Sequence, residues 1–222
     1  MITFIFLILL IGSFSCSHGP NSGGHSQGNS SSDKDFSLKV KKVVLDNGLT
    51  ILAVENGSLP VFSFYTFYKV GAKYEEPGIT GATHFLEHLM FKKSKGMGIQ
   101  TFDKLVESMG GSTNAYTTMD ETVYYQSLPL TGLEATIKLE ADRMQNLVLE
   151  GPTFESERDV ILEERKMRYE NRPGGKLFLA MNQAMFEKTP YGGTVIGTIA
   201  DLKSVSKDQI YQYYKKFYVP NN

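Results

Sequence analysis

Cysteine occurs once in these 222 residues, at Cys16, so no internal disulfide can staple the fold and no cysteine cluster can hold a metal. Histidine is nearly as scarce: His18 and His25 lie in a Ser/Gly-rich tract, and only His84 and His88 fall beyond it. Charge is absent from residues 1–32; all 23 basic and 24 acidic residues lie from Asp33 onward, and the formal net charge is -1. With no basic stripe and no RNA-binding signature, nucleic acid is not an expected partner. Long apolar runs are lacking as well. Ile2 to Ile11 is apolar apart from Thr3, long enough for the core of an export signal and too short to span a bilayer comfortably.

Ser13-Phe14-Ser15 places small residues just before Cys16, and a flexible tract follows. Together they resemble a bacterial lipoprotein leader with Cys16 as the lipid-bearing residue, although the first three residues carry no Lys or Arg and Ser13 stands where such leaders more often have Leu. The resemblance implies an exported protein, periplasmic or membrane-anchored, that touches a membrane only through its N-terminal anchor. His18 and His25, scattered among Ser, Gly and Asn, read as part of a solvated linker. The expected organisation is a leader over residues 1–16, a linker over 17–36 and one domain over 37–222.

Within that domain, Asp46-Asn47-Gly48 predicts a hairpin turn between strands over Leu38–Leu45 and Thr50–Glu55. Val61–Val70, aromatic and β-branched, predicts a third strand, and Ser112–Thr118 and Thr122–Leu128 two more. Helices are expected over Gly81–Phe91, Thr101–Met109, Thr131–Val148 behind a Thr131/Glu134 capping box, and Thr153–Asn171, which Pro173-Gly174 would stop. Two more are expected over Lys176–Glu187 and from a Ser206/Gln209 cap to Tyr218. Paired strands followed by blocks of helices argue for an α+β fold with a mostly antiparallel sheet covered by helices.

The run Thr83-His84-Phe85-Leu86-Glu87-His88-Leu89 concentrates the chemistry. Residues four apart share a helix face, so both imidazoles can close on one ion while Glu87 reaches the same space. Two neutral imidazoles and a free carboxylate are what a catalytic zinc site needs from one element. A third ligand must then be Asp or Glu. In the stretch from Glu155 to Arg165, Glu164 shares a stripe with Ile161, Val160 and Glu157, whereas Glu163 and Asp159 lie about a quarter-turn away. The stripe favours Glu164.

With H-x-x-E-H followed by that glutamate, the chain resembles the pitrilysin and mitochondrial processing peptidase family of inverzincin metallopeptidases, which includes the insulin-degrading enzymes. The resemblance covers about Val40 to Asn222 and implies His84, His88 and Glu164 as ligands of one Zn²⁺ per chain and Glu87 as general base. It also implies Glu157, seven residues before Glu164, as a carboxylate that orients a ligand histidine. Gly110-Gly111-Ser112-Thr113-Asn114-Ala115-Tyr116-Thr117 resembles the family's strand beside the metal, which implies that Asn114, Ala115, Tyr116 and Thr117 bind substrate by strand addition. The activity implied is zinc-dependent endoproteolysis of peptides or unfolded proteins. Family domains continue past a segment like Phe217–Asn222 into another strand and a second homologous domain, so the chain reads as an N-terminal peptidase domain incomplete at its C-terminus. A non-catalytic binding or assembly subunit, or an inert truncated product, is the rival expectation.

Overall fold

A computed structural model describes residues 39–98 and 101–222. The expected leader, linker and lipidated Cys16 lie outside the described residues. Asn47 and Gly48 turn the chain as expected: Gly48 takes φ +87, where a side chain would be strained, and joins β1 (Val40–Val44) to β2 (Thr50–Val54). Among the described residues these strands pair only with each other, and residues on both of their faces are exposed.

The main sheet is antiparallel and three-stranded. Chain order gives β3 (Val61–Tyr68), β4 (Ser112–Thr117) and β5 (Thr122–Pro129), while spatial order is β3-β5-β4, so β5 is central and β4 is an edge. Side chains alternate across a strand. Tyr124, Gln126 and Leu128 of β5 therefore share one face, and all three are buried. Tyr65, Phe67, Tyr116 and Tyr125 share the opposite face, where Tyr65 stacks on Tyr125 at 5.5 Å between ring centroids. That aromatic face stays largely open, with Tyr65 and Phe67 each 53% exposed.

Helices cover the buried face. α1 (Ala82–Leu89) presents Phe85, Leu86 and Leu89 to a core that also takes Tyr68 of β3, Tyr124 of β5, and Phe154 and Ile161 of α4 (Gly151–Arg165). The rings of Phe85 and Phe154 stack at 4.7 Å, which holds α1 against α4. A smaller cluster joins Phe102 and Val106 of α2 (Thr101–Ser108) to Leu128 and to Leu139 of α3 (Leu133–Asn146). Beside it the fully buried Arg143 pairs with Glu140 and lies 4.3 Å over the Tyr124 ring. α5 (Pro173–Phe186), α6 (Ile199–Ser204) and α7 (Lys207–Phe217) complete the chain. Among the described residues no helix is long and apolar enough to cross a membrane.

Three boundaries differ from the sequence reading. Thr131 caps nothing: Leu130–Gly132 form a short 3-10 turn, α3 starts after it, and Glu134 pairs instead with Lys138. Pro173 opens a helix, because its fixed φ suits a first turn and it forces Arg172 before it to be extended. The long helix expected over Thr153–Asn171 is α4 followed by one wider π turn over Lys166–Glu170. The Ser206/Gln209 capping box forms as expected.

Candidate metal centre

The site is built where α1 crosses α4, and two glycines allow that crossing. Gly81, before α1, has φ +91, and a Cβ there would sit 2.1 Å from the Ile196 carbonyl oxygen. Gly197 has φ +81, and its Cβ would sit 2.1 Å from the Thr80 oxygen. Backbone thus packs directly on backbone. No side chain of the N-cap residue closes α1; the Glu75 carboxylate does so from outside, accepting from the Gly81 N–H at 2.6 Å and the Thr83 N–H at 2.7 Å. The same Gly197 turn is gripped from α4, where the buried Arg165 donates to the Gly197 carbonyl at 2.5 Å and to the Thr194 hydroxyl at 3.2 Å. One turn therefore holds both the helix carrying the histidines and the residue next to Glu164.

The imidazoles of His84 and His88 stand side by side, ring centroids 4.7 Å apart. Glu164 Oε2 lies 3.7 Å from His84 Nε2 and 3.5 Å from His88 Nε2. A tetrahedral ion with bonds of about 2.0–2.2 Å separates its donors by about 3.3–3.6 Å, so the Glu164 oxygen stands close to the spacing one ion requires from each imidazole, and the three donors lie within 4.8 Å of one another. Glu157 Oε2 sits 3.3 Å from His88 Nδ1, which fixes a proton on Nδ1 and turns Nε2 toward Glu164, where it can ligate an ion once its own proton is released. Its other oxygen accepts from Lys92 Nζ at 2.7 Å. His84 Nδ1 is buried and has no hydrogen-bond partner among the described residues.

Electrostatics sort the two histidines. Burial, with the neighbouring His88 charge, pulls His84 down to about 4. Burial also works against the charged form of His88, but its bonds to Glu157 and Glu164 outweigh it and lift the ring to about 9. Glu164 is held below the usual carboxylate range by His88 first, with burial opposing. Glu157, although burial pushes it up, ends lowered by its bonds to His88 and Lys92. Burial raises Glu87, and a hydrogen bond from the Thr117 hydroxyl opposes that rise.

Every residue singled out on α1 and α4 converges here, and β4 lies alongside. Thr117 joins that edge strand to Glu87; Ala115 is half-buried, Asn114 and Tyr116 are exposed, and the Asn114 side chain accepts from the Ala115 N–H at 2.8 Å. Glu163, a quarter-turn from the stripe, points to solvent. Val160 does too, at 48% exposure, so the inward stripe is narrower than the sequence pattern indicates. Sequence reasoning missed Glu75, Thr117's bond to Glu87, and Lys92, which lies in the turn that follows α1. It also missed Arg168, whose Nη2 lies 2.7 Å from Glu164 Oε1.

Residues 63–199 match the family profile described as insulinase, peptidase family M16. The chain is 34% identical over 185 residues to the zinc protease PqqE of Helicobacter pylori, covering 83% of this chain and 42% of that one. It is 35% identical over 176 residues to subunit 1 of the bovine (Bos taurus) mitochondrial cytochrome b-c1 complex, covering 78% and 36% respectively. The crystal structure of the first half of the periplasmic protease PqqL from Escherichia coli superposes with a TM-score of 0.76 at 27% identity, over 83% of this chain and 41% of that one. The chain thus spans less than half the length of these relatives.

Proposed function

The chain belongs to the insulinase family, peptidase family M16, and from that premise we propose that it carries the catalytic centre of a zinc-dependent endopeptidase acting on peptides or unfolded proteins. One observation carries the reading: the Nε2 atoms of His84 and His88 meet Glu164 Oε2 at the spacing of a single ion, with Glu87 beside them. Under this reading His84, His88 and Glu164 hold Zn²⁺, which when bound acidifies a water and polarises the scissile carbonyl.

The remaining chemistry belongs to the chain. Glu87 takes a proton from water and returns it to the leaving amine, roles that suit a carboxyl whose affinity for protons burial has raised. The Thr117 hydroxyl fixes the Glu87 carboxylate against β4. An extended substrate adds to the edge of β4 through main-chain hydrogen bonds at Asn114, Ala115, Tyr116 and Thr117, a mode that does not depend on the substrate's side chains. Glu157 orients His88 and keeps its tautomer.

The length of the relatives supports a further part of the proposal: a second homologous domain or chain completes the chamber around this site. The leader-like first 16 residues, the linker to residue 36 and the periplasmic PqqL relative support export, to the periplasm or to a lipid anchor at Cys16. A non-catalytic subunit is the second reading, favoured by the match to a subunit of the cytochrome b-c1 complex. The complete donor set with its adjoining carboxylate favours catalysis. Glu87→Gln separates the two. Cleavage of a quenched peptide library, by the chain alone or supplemented with a second half, should fall by orders of magnitude in that variant while zinc content stays unchanged. Zinc lost with activity, or activity retained, would refute the assignment of Glu87.

A further inference from the structure

We propose that Arg168 is a positioning residue for the metal centre: it occupies Glu164 Oε1 so that Oε2 alone faces the ion, leaving a coordination position free for water. The inference rests on the metal-centre reading above and adds a residue to it. Glu164 Oε1 lies 2.7 Å from Arg168 Nη2, while Oε2 lies 3.5 Å from His88 Nε2 and 3.7 Å from His84 Nε2. Each carboxylate oxygen therefore has a separate task.

The chain repeats the device one turn-pair earlier on α4. Glu157 gives Oε2 to His88 and Oε1 to Lys92. Both carboxylates of α4 that face the histidines thus have a cation behind them, one oxygen inward and one held back. An exposed Arg–Glu pair four residues apart on a helix adds little stability, so the pair's effect is expected at the site.

Arg168 is also held from behind. It lies in the π turn Lys166–Glu170, and the first turn of α5 abuts that turn at Gly175, where a Cβ would sit 2.2 Å from the Arg168 carbonyl oxygen. The Tyr169 ring stacks on Phe178 of α5 at 6.1 Å, fixing the next residue. The guanidinium therefore springs from braced backbone although its side chain is 57% exposed. A carboxylate that can grip an ion with both oxygens raises the coordination number and fills the position a water needs; holding one oxygen prevents this.

The test is Co²⁺ and Zn²⁺ binding to the full chain, following affinity with a competing chelator and coordination number by Co²⁺ visible absorption, which is more intense for four-coordinate than for five-coordinate ions. Arg168→Met should weaken binding about 10- to 100-fold and shift the Co²⁺ spectrum toward five-coordination. Arg168→Lys, which restores one donor, should recover part of the affinity and the four-coordinate spectrum. Unchanged affinity and spectrum in Arg168→Met, with a wild type that binds the metal, would overturn this inference alone. No Co²⁺ spectrum in the wild type, or one that survives His88→Ala, would overturn the metal-centre reading and this inference with it.

Discussion

His84 and His88 share one helix face yet hold protons oppositely, with His84 drawn down to about 4 and His88 lifted to about 9. At pH 7 without metal, His84 is therefore neutral, His88 is an imidazolium between Glu157 and Glu164, and the position proposed for the metal is held by a proton. Metal uptake at pH 7 should release close to one proton per ion, from His88, and affinity should climb about tenfold per pH unit up to about pH 9. Calorimetry in buffers of different ionisation enthalpy measures that release, and a value near zero would contradict the protonation pattern. The same shifts set metal-free stability. His88's contribution is full below its ordinary value of 6.5 and is lost as pH rises to about 9. His84 works in the opposite sense: its lowered value costs stability in acid, and that cost disappears as pH rises from about 4 to 6.5. The pair therefore favours maximum metal-free stability near pH 6.5, a maximum that a His88→Ala variant should lose in pH-dependent urea unfolding.

At the scale of elements, the α1–α4 crossing depends on backbone contact at the Gly197 turn. Gly197→Ala would add strain at φ +81 and a Cβ 2.1 Å from the Thr80 oxygen, a cost of about 2 kcal/mol or more. Because α1 and Arg165 both hang on that turn, metal affinity should fall together with stability, checked by denaturant titration beside a zinc competition assay. Stability lost with affinity intact would show that the turn does not set the site. These elements also mark what could be read in advance. His84, Glu87 and His88 are local: spacing on one helix determines their shared face whatever the rest of the chain does. Ser206 and Gln209 form their cap within one turn. Thr131 and Glu134 have the same spacing, but the 3-10 turn at Leu130–Gly132 moved the helix start past Thr131, a choice made by packing. Glu75, Arg165 and Arg168 act across loops or through a π turn, where no periodicity marks them. Glu164 was legible because burial of Glu157 and Ile161 leaves a stripe in the sequence, even though Val160 escapes it.

At the scale of the whole molecule, the residues proposed for catalysis lie beside the partly exposed strand β4. The outer face of the main sheet exposes Tyr65 and Phe67, and β1–β2 expose Val40, Leu52 and Val54. Relatives of which this chain matches less than half carry additional chain, and under the proposed function that chain supplies the groups that fix the scissile carbonyl and exclude water, worth several kcal/mol in rate. Residues 1–222 alone should therefore cleave an unfolded protein poorly, and a second half added in trans should raise the rate by orders of magnitude. Efficient chelator-sensitive cleavage by the isolated chain would show that the second half contributes less than proposed. The most direct measurement is zinc content. Elemental analysis of the purified chain should find close to one zinc per molecule, and each of His84→Ala, His88→Ala and Glu164→Ala should reduce it to near zero while far-UV circular dichroism stays native. Zinc that persists in His88→Ala, or a folded wild type that takes up none, would contradict the metal centre on which the proposed function stands.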